Sequence, residues 1–183
     1  MCWLRDSLIL NGEEALSLVK MSKSKKGILL YRASRDGFAA QAFHSRCDGK
    51  TKTITIIKNN LNHVFGGYSS ESWDSSQIGI GSKYISDTKA FLYSLRRDGK
   101  SCSDKFTIKN PLYALYSHYG YGPSFGGGQD LVVCDQSNIR TGSYINLGHS
   151  YNVPVGYDRN AQSLFAGNNN QWTTVEIEVY QIS

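Results

Sequence analysis

The sequence predicts an α+β fold in which two antiparallel β-sheets pack face to face as a β-sandwich, with about two flanking helices near the N-terminus. Three observations carry this prediction. The 183 residues include 18 glycines and 12 tyrosines but only 3 prolines, a composition that favours short strands and turns over long helices. Apolar and polar residues alternate in several short runs, which is the period of a strand. Helical spacing is confined to the N-terminal part of the chain.

Two segments near the N-terminus are predicted to be helices. Asn11 and Glu14 have the spacing of a capping box, in which the side chain of each residue accepts a hydrogen bond from the backbone N–H of the other. A second helix is predicted over 34–47, because its apolar residues recur on one face. Asp36 or Ser34 is the predicted cap of that helix, since a short side chain with an oxygen can accept from its first amides.

Strands are predicted wherever apolar side chains alternate. In 52–58, Ile54 and Ile56 share one face and Ile57 lies on the other. The most regular alternation is at 175–180, close to the end of the chain. No composition shift, repeat or linker marks a boundary, so we expect residues 1–183 to form a single domain.

Six blocks of the sequence, taken in order, are similar to a known family. They read LYRASRDGF at 30–38, TIIK at 55–58, FGGY at 65–68, YGPSFGGGQDL at 121–131, NLGHSY at 146–151 and VEIEVY at 175–180. In these blocks, and over nearly its whole length, the chain resembles the TLDc domain, the module of the oxidation-resistance proteins and their relatives.

The TLDc resemblance implies the same β-sandwich with helices at its flank. It also implies that the chain, like these relatives, is cytosolic, protects against oxidative stress and binds the vacuolar-type proton ATPase. Relatives of this kind often carry the domain beside other modules, so the chain can be part of a larger multidomain protein.

Three residues are predicted to contact a protein partner, such as subunits of the vacuolar-type ATPase, because of where they stand in the predicted loop and strand. Trp73 stands in a long polar loop at 69–86, and a loop of that length in a compact domain is usually functional or mobile. Glu176 and Glu178 are predicted to lie on the polar face of the last strand. That face is either simply solvated or forms an acidic contact row for a basic partner. The residues predicted to determine the fold, and so to shape its surface, are Asp36, Gly37, Phe38, Gly66, Gly67, Gly127 and Gly128.

The formal net charge of +5 comes partly from lysine-rich loops. We expect these loops to be solvated rather than to bind nucleic acid, an anionic membrane or an acidic protein patch. No apolar run approaches the roughly 20 residues of a membrane helix, and the N-terminus does not have the pattern of a signal peptide. A cytoplasmic location is therefore predicted, with free thiols at the four scattered cysteines, Cys2, Cys47, Cys102 and Cys134.

Two enzymatic alternatives remain open in the sequence. The segment 122–126 matches G-x-S-x-G, with Ser124 as nucleophile and His149 as base of a small serine hydrolase. A nucleophile elbow needs a strand before the serine and a helix after it, whereas glycines and then a strand follow here, so a glycine-rich turn is favoured. Cys102 lies in a polar loop and is the candidate for a thiol-based antioxidant.

A glycan-binding module is a further alternative. A stacking platform for sugars or single-stranded nucleic acid could be formed by Tyr113, Tyr116, Tyr119, Tyr121 and Phe125, although core packing accounts more simply for most of these rings. His44 and Cys47 have the spacing of metal ligands, but a structural zinc site needs a second pair. We therefore predict no metal or cofactor, with Cys47 buried and His44 at the surface. The leading prediction is a non-enzymatic protein-interaction module.

Overall fold

The computed structural model of the chain describes residues 3–4, 6–76, 82–157, 161–167 and 172–183. Its strands, in chain order, are β1 Gly27–Arg32, β2 Thr53–Asn59, β3 Val64–Ser69, β4 Lys83–Ile85, β5 Phe91–Arg97, β6 Lys100–Thr107, β7 Leu115–Ser117, β8 Tyr121–Phe125, β9 Leu131–Cys134, β10 Tyr144–Ile145 and β11 Thr174–Ile182. One sheet has six strands in the order β1-β11-β2-β3-β5-β6, and the other has five in the order β10-β9-β8-β7-β4. All the pairings are antiparallel. The predicted α+β sandwich is therefore confirmed.

The last strand of the chain lies inside the six-stranded sheet, between β1 and β2. Ile177 of β11 pairs with Ile57 of β2, and Glu178 pairs with Arg32 of β1. The strand predicted from the alternation at 175–180 is thus confirmed, and it pairs the C-terminal part of the chain with the first two strands.

Hydrophobic side chains form two clusters, one on each face of this six-stranded sheet. The cluster between the two sheets includes Ile57 of β2, with Phe65 and Trp172. The cluster on the opposite face includes Ile54 and Ile56 of β2, and it is covered by the N-terminal segment and the first helix. The predicted division of the β2 isoleucines between two faces is confirmed, and both faces are buried.

Helix α1 spans Gly12–Ser22 and begins with the predicted capping box. The Asn11 side chain accepts the Glu14 N–H at 2.9 Å, and the Glu14 carboxylate accepts the Asn11 N–H at 3.0 Å. Glu14 is fully buried and also pairs with Arg96 of β5 at 2.6 Å. The same carboxylate therefore caps the helix and fastens it to the sheet.

The prediction of a single helix over 34–47 is wrong, because the chain forms two short helices there, α2 Ala33–Asp36 and α3 Ala40–Cys47. Gly37 separates them with a φ of 101°, which lies outside helical geometry and suits glycine. The Tyr31 hydroxyl donates to the Gly37 carbonyl at 2.8 Å and holds this bend.

The predicted cap of the second helix is also wrong. The side chain of Asp36, which ends α2, accepts the Arg32 N–H at 3.0 Å. The first amide of α3, at Ala40, donates to the side chain of Asp135 at 2.9 Å. That cap comes from the loop after β9, so no local sequence pattern could reveal it.

Two glycines of β3 allow close approach between neighbouring strands and sheets. A Cβ on Gly66 would overlap the backbone oxygen of Thr55, and a Cβ on Gly67 would lie 2.6 Å from the Phe125 ring. That Gly66 and Gly67 determine the fold stays a prediction, supported by these distances. Of the helices described, none is long and apolar enough to cross a lipid bilayer.

Candidate interaction surface

Trp73 lies in the core rather than on the surface. Its side chain is fully buried, with the ring centroids of Phe43 at 5.1 Å and Phe125 at 5.5 Å, and its indole N–H donates to the Ser124 carbonyl at 3.4 Å. The prediction that Trp73 contacts a partner is wrong. It anchors the polar loop to both α3 and β8.

The predicted acidic row on the last strand is also buried. Glu178 accepts hydrogen bonds from the Ser7 hydroxyl at 2.6 Å and the Leu8 N–H at 3.0 Å, and it pairs with Arg32 at 2.7 Å. Glu176 accepts the Ser34 N–H at 3.0 Å and so binds the first turn of α2. The two side chains do alternate with the apolar ones as predicted, but the N-terminal segment and α2 cover their face. The prediction of an exposed acidic contact row is therefore wrong.

A continuous group of aromatic rings lies on the second sheet, on the side away from the core. We call it the tyrosine face, and it consists of Tyr84, Tyr113, Tyr116, His118, Tyr119 and Tyr121. Neighbouring ring centroids along the row from Tyr113 through Tyr84, Tyr116 and His118 to Tyr119 are separated by 5.1, 5.4, 6.1 and 4.7 Å. Tyr121 packs beside the row, 5.2 Å from His118.

Three tyrosines of this face expose much of their surface, with Tyr84 at 42%, Tyr113 at 38% and Tyr119 at 49%. The other three rings are half-buried and support them. Tyrosine is enriched in protein interfaces, because a rigid ring offers a large contact area and loses little conformational freedom on binding. The arrangement is therefore typical of a protein-binding surface.

Backbone contacts hold the rings of the tyrosine face in place. The Tyr84 hydroxyl donates to the Gly127 carbonyl at 3.3 Å. A Cβ on Gly127 would lie 2.7 Å from Tyr113 Cβ, and one on Gly128 would lie 2.4 Å from His149 Cβ. That Gly127 and Gly128 shape the surface stays a prediction, supported by these distances.

The border of the tyrosine face carries a balanced ion pair. Lys83 Nζ lies 3.0 Å from Asp74 Oδ2. Hydrogen bonds from Ser76 and Lys83 lower the pKa of Asp74 to about 2, so the carboxylate is ionised at neutral pH. The pair contributes no net charge to this border of the tyrosine face.

Comparison with protein families identifies the domain. A family model described as the TLDc domain matches residues 5–183, essentially the whole chain. The chain belongs to the TLDc domain family. No curated protein matches it. TLDc domains are in general interaction modules rather than enzymes.

The serine hydrolase alternative finds no geometric support in this TLDc domain. Ser124 is fully buried within β8, and its hydroxyl donates to the Gly122 carbonyl at 3.0 Å. His149 Nδ1 lies 3.0 Å from Ser150 Oγ instead. Ser124 lies inside a strand rather than at a strand-to-helix turn, so the pattern does not form a nucleophile elbow.

Thiol chemistry is also disfavoured in this TLDc domain. Cys47, Cys102 and Cys134 are free, as predicted, whereas Cys2 lies outside the described residues. Cys102 is half-buried, and burial raises its pKa despite the opposing effects of Ser94 and Arg97. Burial likewise raises the pKa of Cys47. A raised pKa lowers the fraction of reactive thiolate at neutral pH.

His44 is buried, so its predicted surface position is wrong, whereas the predicted burial of Cys47 is confirmed. The Nδ1 atom of His44 lies 2.7 Å from Asp48 Oδ1, and its Nε2 lies 2.9 Å from the Tyr121 carbonyl oxygen. The imidazole thus links α3 to the turn that carries Tyr119. Within the described ranges, no group of three or more potential ligand side chains could hold a metal ion.

Low pH is expected to weaken the contact between Asp48 and His44. Burial acts to raise the pKa of Asp48, but hydrogen bonds from His44 and Ser75 outweigh it and lower the pKa below the usual 3.8. A lowered folded-state pKa means that the stabilisation is complete well above 3.8 and is lost as the pH falls through the folded-state value. Melting temperatures measured across this acidic range should show wild type losing its advantage over Asp48→Asn. A difference that is constant with pH would contradict this assignment.

Proposed function

We propose that this TLDc domain is a non-enzymatic, cytoplasmic protein-binding module and that the tyrosine face is its contact surface. The observation that carries the proposal is the row of packed rings with Tyr84, Tyr113 and Tyr119 exposed. A few residues dominate the binding energy of a protein interface, and tyrosine is enriched among them. The polar groups proposed for catalysis are buried or paired elsewhere, which also favours binding over turnover.

The partner that we propose is a subunit of the vacuolar-type proton ATPase. Through it the domain would contribute to protection against oxidative stress. This part of the proposal rests on the TLDc family and on the resemblance in six sequence blocks. The tyrosine face supplies a surface of the kind that a folded subunit would cover.

Replacing two exposed rings tests the proposed surface. Tyr113→Ser/Tyr119→Ser should weaken retention of the ATPase subunits from a cytosolic extract at least about tenfold, because hot-spot rings each contribute about 2 kcal/mol or more. Tyr157→Ser is the matched control, because Tyr157 is 40% exposed outside the face. Immunoblotting of the retained fraction measures the effect.

Two results would count against different parts of this proposal. Equal retention by wild type and Tyr113→Ser/Tyr119→Ser would remove the tyrosine face as the contact surface. Absence of ATPase subunits with wild type would remove the partner. In that case, mass spectrometry of proteins lost from the double variant but kept by Tyr157→Ser would still test the surface.

Glycan binding is the second candidate, because exposed tyrosine rings also pack against sugars. The ring geometry favours it less. Tyr84 meets Tyr113 at 78° and Tyr116 at 47°, so this half of the face is corrugated rather than flat. Phe125, predicted as part of the platform, is fully buried. A glycan array probed with wild type and with Tyr113→Ser/Tyr119→Ser would reveal any sugar that requires these rings.

A further inference from the structure

A pocket of about 840 Å³ lies in the six-stranded sheet where the edge strand β1 begins and its neighbour β11 ends, and Thr51 and Lys52, just before β2, also line it. Its apolar lining comes from Trp3, Ile28 and Ile182. Ile28 is 70% exposed, which is unusual for a β-branched residue in a strand. The volume falls in the range of pockets that bind ligands of several hundred daltons. It belongs to a different sheet from the tyrosine face, so the inference goes beyond the proposed function.

The aromatic wall of this pocket is held in place before any ligand binds. Trp3 packs edge-on against Tyr180, with ring centroids 5.4 Å apart. The Trp3 ring also lies directly on the backbone of Gly27, where any Cβ would overlap it. A preformed wall lowers the entropic cost of binding.

The backbone at this edge has hydrogen-bonding groups directed away from the sheet. Lys26 and Ser183 exchange two backbone hydrogen bonds, each of 3.1 Å. In an antiparallel ladder such pairs alternate with pairs that are not hydrogen-bonded, so the N–H and C=O of Gly27 point towards the open edge. An extended segment of another chain could pair with them, as in β-strand addition.

Lysines give the pocket a positive charge. Lys25, Lys26 and Lys52 line it and are exposed. None of the three forms an ion pair with another residue in the part of the chain that the structure describes. A ligand that brings carboxylates would therefore meet cations that have no competing partner.

We propose that this pocket binds an extended acidic segment of a partner protein. A large apolar side chain of the segment packs against Trp3 and Ile182, which lie on the same face of the sheet. The next side chain of the segment points to the other face and lies beside Ile28. Its backbone pairs with β1 at Gly27, and flanking Asp or Glu side chains contact Lys25, Lys26 and Lys52. The concave shape favours a peptide over a membrane, because Trp3 packs back onto the protein instead of projecting into a bilayer.

An array of immobilised heptapeptides tests the proposal. Each peptide carries a central Phe, Leu, Ile or Trp with Asp or Glu on both sides, and a matched set carries Lys in place of the acids. Wild type should bind the best acidic peptides at least about tenfold more tightly than their lysine counterparts. Fluorescence anisotropy with labelled versions of those peptides should show binding that weakens between about 0.05 and 0.3 M salt.

Variants at exposed positions separate loss of the site from loss of the fold. Ile28→Glu and Lys25→Glu/Lys26→Glu should each weaken peptide binding at least about tenfold. The matched controls are Ile139→Glu, since Ile139 is 74% exposed elsewhere, and Lys100→Glu on β6. Both controls, and Tyr113→Ser/Tyr119→Ser, should bind as wild type does.

Three results would overturn the proposal. The first is an array with no preference for acidic over lysine peptides. The second is peptide binding that Ile28→Glu leaves unchanged. The third is stronger binding to sodium oleate or phosphatidylserine vesicles than to any peptide, which would make the pocket a lipid site. Because Tyr113→Ser/Tyr119→Ser is assayed in parallel, failure here leaves the test of the tyrosine face intact.

Discussion

Glu178→Ala is expected to lower the free energy of unfolding by about 3–5 kcal/mol, the usual cost of leaving one partner of a buried ion pair alone. The Glu178 carboxylate is fully buried and pairs with Arg32 at 2.7 Å. It also binds Ser7 and Leu8, so its loss would release the N-terminal segment that covers the outer face of the six-stranded sheet. Urea denaturation followed by tryptophan fluorescence measures the change.

Two controls define the origin of the Glu178 effect. Glu13→Ala removes an exposed acid from α1 and should change the free energy of unfolding by less than about 0.5 kcal/mol. Arg32→Met/Glu178→Leu removes both charges and should be more stable than Glu178→Ala. A cost for Glu178→Ala as small as that of Glu13→Ala would show that the carboxylate is solvated, which contradicts the structure.

Trp73→Ala is expected to cost about 3–5 kcal/mol of unfolding free energy, because the substitution leaves a cavity among aromatic side chains. Trp73 contacts Phe43 of α3 and Phe125 of β8, so the cavity would open between a helix and the second sheet. Thermal unfolding followed by circular dichroism and urea denaturation give the free-energy change.

Trp73→Phe keeps an aromatic ring and should recover part of the lost stability. Val155→Ala is the exposed control, since Val155 is 99% exposed and its truncation should have little effect. If Trp73→Ala unfolded like wild type yet lost a protein partner, the residue would be the surface contact predicted from its loop rather than a core anchor.

The tyrosine face could be recognised only in part from the sequence. Tyr113, Tyr116, Tyr119 and Tyr121 lie within nine residues of one another and stand out as an aromatic segment. Tyr84 was missed, because it reaches them only through the pairing of β4 with β7. In the sequence, Tyr84 is one tyrosine in a short run beside a polar loop. That pattern is too weak to assign Tyr84 to the tyrosine face without the strand pairing.

The sequence by itself determined the first helix and the alternating strands, but not the break between α2 and α3. The Asn11–Glu14 capping box, the alternating strands and the sandwich class all depend on residues a few positions apart, whose spacing sets backbone geometry directly. The tertiary structure alone decided which faces of those elements reach solvent. Glu178 looks exposed in an alternating strand, yet its partner Arg32 is 146 residues away in the chain. A contact of that separation depends on the order of strands in the sheet, which local spacing does not encode.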